Sequence, residues 1–116
     1  MISVMFVDDD KNLQQIYETL FMMHGIKIIA QAYDGLQAVD LYQKMSDKPD
    51  VIIMDQRMPR MDGVTATKKI KELAPNAKII FLSADDKSEE KALESGAQRF
   101  LLKPISIEDL LKAIKK

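Results

Sequence analysis

The chain has 116 residues, of which 47% are apolar, 17 are Lys or Arg and 18 are Asp or Glu, for a formal charge of −1. This length fits one domain with one core, and the charge balance provides no global field to recruit nucleic acid or anionic lipid. The absence of cysteine excludes disulfides, thiolate metal sites and cysteine nucleophiles, and no apolar stretch approaches the ~20 residues that span a bilayer. A cytoplasmic protein without membrane or direct nucleic-acid contact is expected.

Short apolar runs begin near residues 2, 26, 51, 79 and 99. The gaps between them predict five βα units. The first strand, through Val4-Met5-Phe6-Val7, leads into a helix in which Leu13, Ile16, Tyr17, Leu20 and Met23 recur at helical spacing. Asp10 is its candidate cap and Gly25 its stop; His24, the only histidine, reads as a surface or helix-end residue. The second strand, Ile26 to Ala32, is interrupted by Lys27 and Gln31, the partial alternation of an edge strand.

A second helix is predicted over about 36–45, with Leu36, Val39, Leu41 and Tyr42 facing inward, and Pro49-Asp50 turns the chain into the third strand. Val51-Ile52-Ile53-Met54 and Ile79-Ile80-Phe81-Leu82 are continuously apolar, as strands covered on both faces are. Asp62-Gly63 enters a third helix carrying Val64, Thr67, Ile70 and Leu73 and ending before Pro75. Asp86 or Ser88 starts a short, charged fourth helix that stops at Gly96. Ser106 and Asp109 resemble a capping box for a last helix with Ile107, Leu110, Leu111 and Ile114 inward. No linker, repeat or low-complexity tract interrupts the pattern.

Right-handed crossovers leave few topologies for such a chain. Order 2-1-3-4-5 is a common doubly wound arrangement, with its crevice between strands 1 and 3. In that order Asp8 and Asp9 lie beside Asp55. The strand ends would gather those three acids with Ser83 and Lys103 on one edge, where ligands of open α/β sheets bind.

Carboxylates ~4 Å apart repel by roughly 4 kcal/mol at an effective dielectric of about 20. A hard divalent cation offsets this, and magnesium, which binds through few carboxylates plus phosphate, fits best. Without a metal, one acid should have a raised pKa. Asp55, a lone acid at a central strand end, is the better candidate nucleophile toward phosphorus, which leaves the Asp8-Asp9 pair to hold metal. Lys103, the Ser83 hydroxyl and backbone N–H groups after Asp55 and near Ala84 would stabilise the transferred group. The eight methionines read as core filler, with Met58 and Met61 the exceptions that flank the site.

Four segments together have a family likeness: Val7-Asp8-Asp9-Asp10, Met54 to Gly63, Leu82-Ser83-Ala84, and Gly96-Ala97 followed by Phe100 to Pro104. Over its whole length, 1–116, the chain resembles a response-regulator receiver domain of two-component signalling. The resemblance implies a flavodoxin-like (βα)5 fold. It implies that Asp55 is phosphorylated by a histidine kinase, a histidine phosphotransfer protein or a small donor. It implies that Asp9, Asp55 and the Arg57 backbone carbonyl bind Mg2+ (or Mn2+) directly, with Asp8 acting through water. Ser83 would be the switch hydroxyl and Phe100 the aromatic that turns with it; Lys103 and the Ala84 N–H would contact phosphate, and the Lys103-Pro104 peptide would be cis.

Arg57 and Asp85 each lie two residues beyond a site residue, and an ion pair between them is expected to slow attack by water. Output is expected through the face of the fourth helix, fifth strand and last helix, toward a downstream effector protein, as a monomer or a phosphorylation-dependent dimer. The chain would be a phosphoacceptor rather than an enzyme, with self-phosphorylation from small donors and autodephosphorylation. It stands alone or belongs to a longer regulator. The competing aspartate-nucleophile phosphatase, resembling haloacid dehalogenases, finds its acid spacing in Asp8 and Asp10, but Asn12 replaces its usual Thr or Val and there is no length for a cap domain. A flavodoxin-like cofactor binder would need a phosphate loop where three acids stand, and an unphosphorylated receiver would have lost an acid or the lysine.

Overall fold

Five parallel strands alternate with five helices in a computed structural model describing residues 1–116. They are β1 (Ile2–Val7), α1 (Lys11–Met23), β2 (Ile26–Ala32), α2 (Gly35–Lys44), β3 (Val51–Met54), α3 (Gly63–Leu73), β4 (Ile79–Ser83), α4 (Glu89–Glu94), β5 (Arg99–Leu102) and α5 (Ile107–Lys115). The sheet order is β2-β1-β3-β4-β5. The order and the edge position of β2 are those expected from the pattern.

The strands are apolar at consecutive positions because both faces are covered. Met5, Val7, Ile52, Met54, Ile79 and Phe81 join Ala38, Tyr42, Val64, Ala66, Ile70 and Ala92 from α2, α3 and α4. Their neighbours Val4, Phe6, Val51, Ile53, Ile80 and Leu82 join Phe21 of α1 and the Leu110, Leu111, Ala113 and Ile114 stripe of α5. Each large side chain buried this way is worth about 1.5–3 kcal/mol in removal from water.

Local capping follows the sequence. Asp10, Asp34, Asp62 and Ser106 accept N–H bonds from Leu13, Gln37, Thr65 and Asp109 at the starts of α1, α2, α3 and α5. Gly25 follows α1 with φ +75°. The fourth helix is short: a 3₁₀ turn over Asp86–Ser88 precedes the six residues of α4.

Four expected inward residues turn out exposed: Ile16 at 55%, Met23 at 73%, Leu36 at 45% and Leu73 at 50%. In α1 the buried face is rotated to Gln14, Tyr17 and Phe21, positions i, i+3 and i+7. Aromatic packing of Phe6, Tyr17 and Phe21, with centroids 5.2 to 6.1 Å apart, sets that rotation. Gln14 accompanies it because its amide donates to the Asp8 and Ala32 carbonyls at 2.9 and 2.8 Å. Leu36 lies in the first turn of α2 and Leu73 in the last turn of α3.

No helix is long and apolar enough to cross a membrane.

Candidate functional site

Register brings the acids together. Val7 pairs with Met54, and the Asp55 N–H reaches the Val7 carbonyl at 3.0 Å, so Asp8 and Asp55 leave adjacent strands side by side. Ser83 pairs with Leu102 across β4 and β5, and the Lys103 N–H bonds the Ser83 carbonyl at 2.9 Å. The edge at which strand order reverses thus carries every side chain expected there.

Asp8, Asp9 and Asp55 offer carboxylate oxygens that lie within 4.8 Å of one another. Asp8 is 2% exposed and already engaged: its Oδ1 accepts the Asp10 N–H at 2.9 Å and its Oδ2 the Lys103 ammonium at 2.8 Å. Asp9 is exposed. Asp55 Oδ1 accepts the Gln56 N–H at 2.8 Å, and its Oδ2 lies 3.6 Å from Lys103 Nζ.

Burial raises the Asp55 pKa above the ordinary carboxylate value, and the Asp8 charge raises it further; Lys103, the Gln56 N–H and the Ser83 hydroxyl offset this in part. The raised acid expected of a metal-free cluster is therefore Asp55. Burial alone would lower the Lys103 pKa, but its bond to Asp8 and the charges of Asp55 and Asp8 outweigh burial and raise it. Three carboxylates against one ammonium leave the cluster short of positive charge. The donors are hard oxygens, so the set fits a magnesium-type ion.

The surrounding residues complete the mouth. Ser83 is buried and its Oγ accepts the Asp85 N–H at 3.1 Å. Ala84 is exposed one residue on. Phe100 is half-buried, its ring stacked on Phe81 with centroids 6.1 Å apart. Arg57 Nε lies 3.1 Å from Asp85 Oδ2, so the ion pair expected from the sequence is present. Lys103, Ala84, Leu13, Tyr17, Pro104 and Ile105 line a groove of about 400 Å³ beside the acids. The Lys103-Pro104 peptide is cis, as the resemblance implied.

Gln14 was not singled out in the sequence. It holds the Asp8 carbonyl from beneath, and its only sequence signal is its helical spacing to Tyr17 and Phe21. Its Oε1 and the Thr67 hydroxyl are buried with no protein partner. Gln56 is a second such residue: its Oε1 accepts the Val64 N–H at 2.9 Å and its Nε2 reaches Asp62 Oδ2 at 3.2 Å, pinning the loop after β3 to α3.

The family model of the response regulator receiver domain matches residues 4–115. The chain belongs to the response regulator receiver family. It is a CheY-like receiver domain of two-component signalling. Among its relatives, the chemotaxis protein CheY of Bacillus subtilis is 36% identical over 115 residues, spanning 97% of this chain and 94% of that one. A chain of the CheX-CheY-BeF3-Mg complex from Borrelia burgdorferi superposes with a TM-score of 0.90 at 31% identity, covering 97% of this receiver and 86% of that chain. The receiver domain of the Pseudomonas aeruginosa sensor histidine kinase PA1611, solved with magnesium in its active-site cleft, gives 0.87 at 27% identity, covering 98% and 94%.

Proposed function

We propose that Asp55 accepts a phosphoryl group in a magnesium-dependent reaction, and that the domain thereby acts as a signalling switch. The observation that carries this is the convergence of Asp8, Asp9 and Asp55 within 4.8 Å, with Lys103 bonded to one acid and facing another. Donors are a sensor histidine kinase, a histidine phosphotransfer protein or a small acyl phosphate, in the cytoplasm. The groove beside Lys103 and Ala84 supports docking of a protein donor.

Asp9, Asp55 and the Arg57 carbonyl would hold Mg2+ or Mn2+. When bound, the ion neutralises the cluster and the phosphoryl oxygens. Asp8, buried and engaged on each oxygen by the Asp10 N–H and Lys103, suits an indirect role through water. The Asp55 carboxylate attacks phosphorus, and the donor's leaving nitrogen or oxygen takes the bonding pair. Lys103 offers its ammonium to the arriving oxygens, and Ser83 and the Ala84 N–H supply further donors.

Movement of Ser83 toward the new group would let Phe100 turn, changing the α4-β5-α5 face that binds a downstream effector, in a monomer or an induced dimer. The short α4 with a single buried residue, Ala92, suits a moving part. Incubation with acetyl phosphate is expected to give one labile adduct by intact mass, only with magnesium. No adduct from any donor, kinase included, would overturn the reading.

The Arg57-Asp85 pair would partly cover the acyl phosphate. Arg57 is 82% exposed in its side chain, and such pairs are worth under ~1 kcal/mol, or at most about fivefold in rate. Arg57→Ala should shorten the phosphoryl half-life two- to fivefold by this ~1 kcal/mol scale; an unchanged decay of the phosphorylated protein removes the pair from this role.

A further inference from the structure

The loop from Gln56 to Asp62 joins β3 to α3 and carries the Arg57 carbonyl assigned above to the metal. Its far end is tied by backbone: the Met61 carbonyl accepts the Gly35 N–H at 2.9 Å, and the Gly63 N–H reaches the Gln56 carbonyl at 3.0 Å. Its outer turn makes polar contact with other elements through two arginines. Arg57 reaches Asp85, and Arg60 places both Nε and Nη2 at 3.0 Å from Asp34 Oδ2.

Arg60 stands out in its backbone. Its φ is +66°, and it is the one non-glycine residue in the left-handed region. A Cβ is disfavoured there and glycine adopts it freely, so an arginine at this position carries a backbone cost that its side-chain contacts help to offset. The partner is a fixed point. Asp34 caps α2, its Oδ1 accepting the Gln37 N–H at 2.7 Å, and its side chain is 11% exposed. The ion pair therefore joins the loop to a rigid helix end, with one partner already ordered.

We propose that Arg60 is a positioning residue: paired with Asp34 of the α2 cap, it holds the β3-α3 loop in the conformation that presents the Arg57 carbonyl to a divalent ion beside Asp9 and Asp55. The inference rests on the metal reading above. It makes Mg2+ affinity depend on a residue that touches neither the ion nor the phosphoryl group.

Arg60→Gly separates this role from a purely structural one, because glycine relieves the left-handed φ while removing the contact. Mg2+ titration of the metal-free proteins, followed by amide NMR shifts, is expected to show about three- to fivefold weaker binding in R60G, the scale of a solvent-facing ion pair. The thermal midpoint of R60G should equal or exceed that of wild type. Arg60→Lys should restore part of the affinity. Asp34→Asn, which keeps an oxygen for the α2 cap, should weaken binding to the same extent as R60G, and the double variant R60G/D34N no further. High salt should shrink every one of these differences.

Wild-type binding with unchanged affinity in R60G and D34N overturns the positioning role and leaves the metal reading intact. Wild type that binds no Mg2+ overturns both. If R60G folds poorly, D34N alone decides: unchanged affinity there rejects the proposal.

Discussion

Asp55→Asn is expected to abolish the phosphoryl adduct and, in metal-free protein at neutral pH, to raise the melting temperature. The two effects have one cause. Asparagine keeps an Oδ1 for the Gln56 N–H but lacks the charged nucleophile, so no acyl phosphate forms. It also removes one of three crowded carboxylates, the one whose ionised form is disfavoured by burial and by the neighbouring Asp8 charge.

The sign follows from linkage. An acid whose folded pKa lies above its unfolded value binds more protons in the native state between the two, so stability falls as pH rises through that window. Above the folded pKa, wild type bears the full cost of ionised Asp55. The variant should therefore be the more stable of the two there and melt at the higher temperature. Lys103 keeps its closer partner, Asp8 at 2.8 Å, so the loss of the 3.6 Å contact to Asp55 does not cancel this gain. Acidification should narrow the gap, and saturating magnesium should reverse it, because wild type then gains binding energy. Thermal melts of both proteins across pH, with and without Mg2+, test each sign. A variant less stable than wild type without metal would mean that Asp55 is not the crowded acid, and an adduct in the variant would mean that it is not the acceptor.

Gly63→Ala should cost about 2–4 kcal/mol of stability, the largest loss expected from adding one methyl group to this chain. A Cβ at Gly63 would lie 2.1 Å from the Asp55 carbonyl oxygen and 3.0 Å from its carbon, both backbone atoms that cannot rotate away. The start of α3 is held there by the Gln56 carbonyl and side chain, so the helix cannot slide without breaking those bonds. The clash falls on the Asp55 peptide itself, so weaker Mg2+ binding should accompany the loss. Gly25→Ala is the control. Gly25 has φ +75°, and a methyl group added there would meet nothing within 4 Å, so only the conformational cost of about 1 kcal/mol applies. Urea unfolding of both variants, with unchanged m-values, should rank Gly63→Ala well above Gly25→Ala; equal losses would show that α3 moves freely away from Asp55.

The chain by itself determined the elements and the chemistry at the strand ends. Consecutive apolar residues such as Val51 to Met54 are readable as doubly covered strands, and capping at Asp10, Asp34, Asp62 and Ser106 depends on neighbours three residues away. Crossover handedness then leaves so few topologies that Asp8, Asp9, Asp55, Ser83 and Lys103 fall on one edge from strand order alone.

Tertiary structure decided what depends on partners distant in sequence. The buried face of α1 turned from Ile16 and Met23 to Gln14 and Phe21, because the Asp8 and Ala32 carbonyls needed a donor and Phe6 an aromatic neighbour. Nothing local in the sequence points Asp34 and Arg60 to each other. Their pairing across 26 positions exists only once β2 and β3 flank β1 and bring the two loops to the same end of the sheet. Periodicity and capping are short-range and survive in the sequence, whereas the partner of a particular amide or guanidinium is set by packing across the whole sheet.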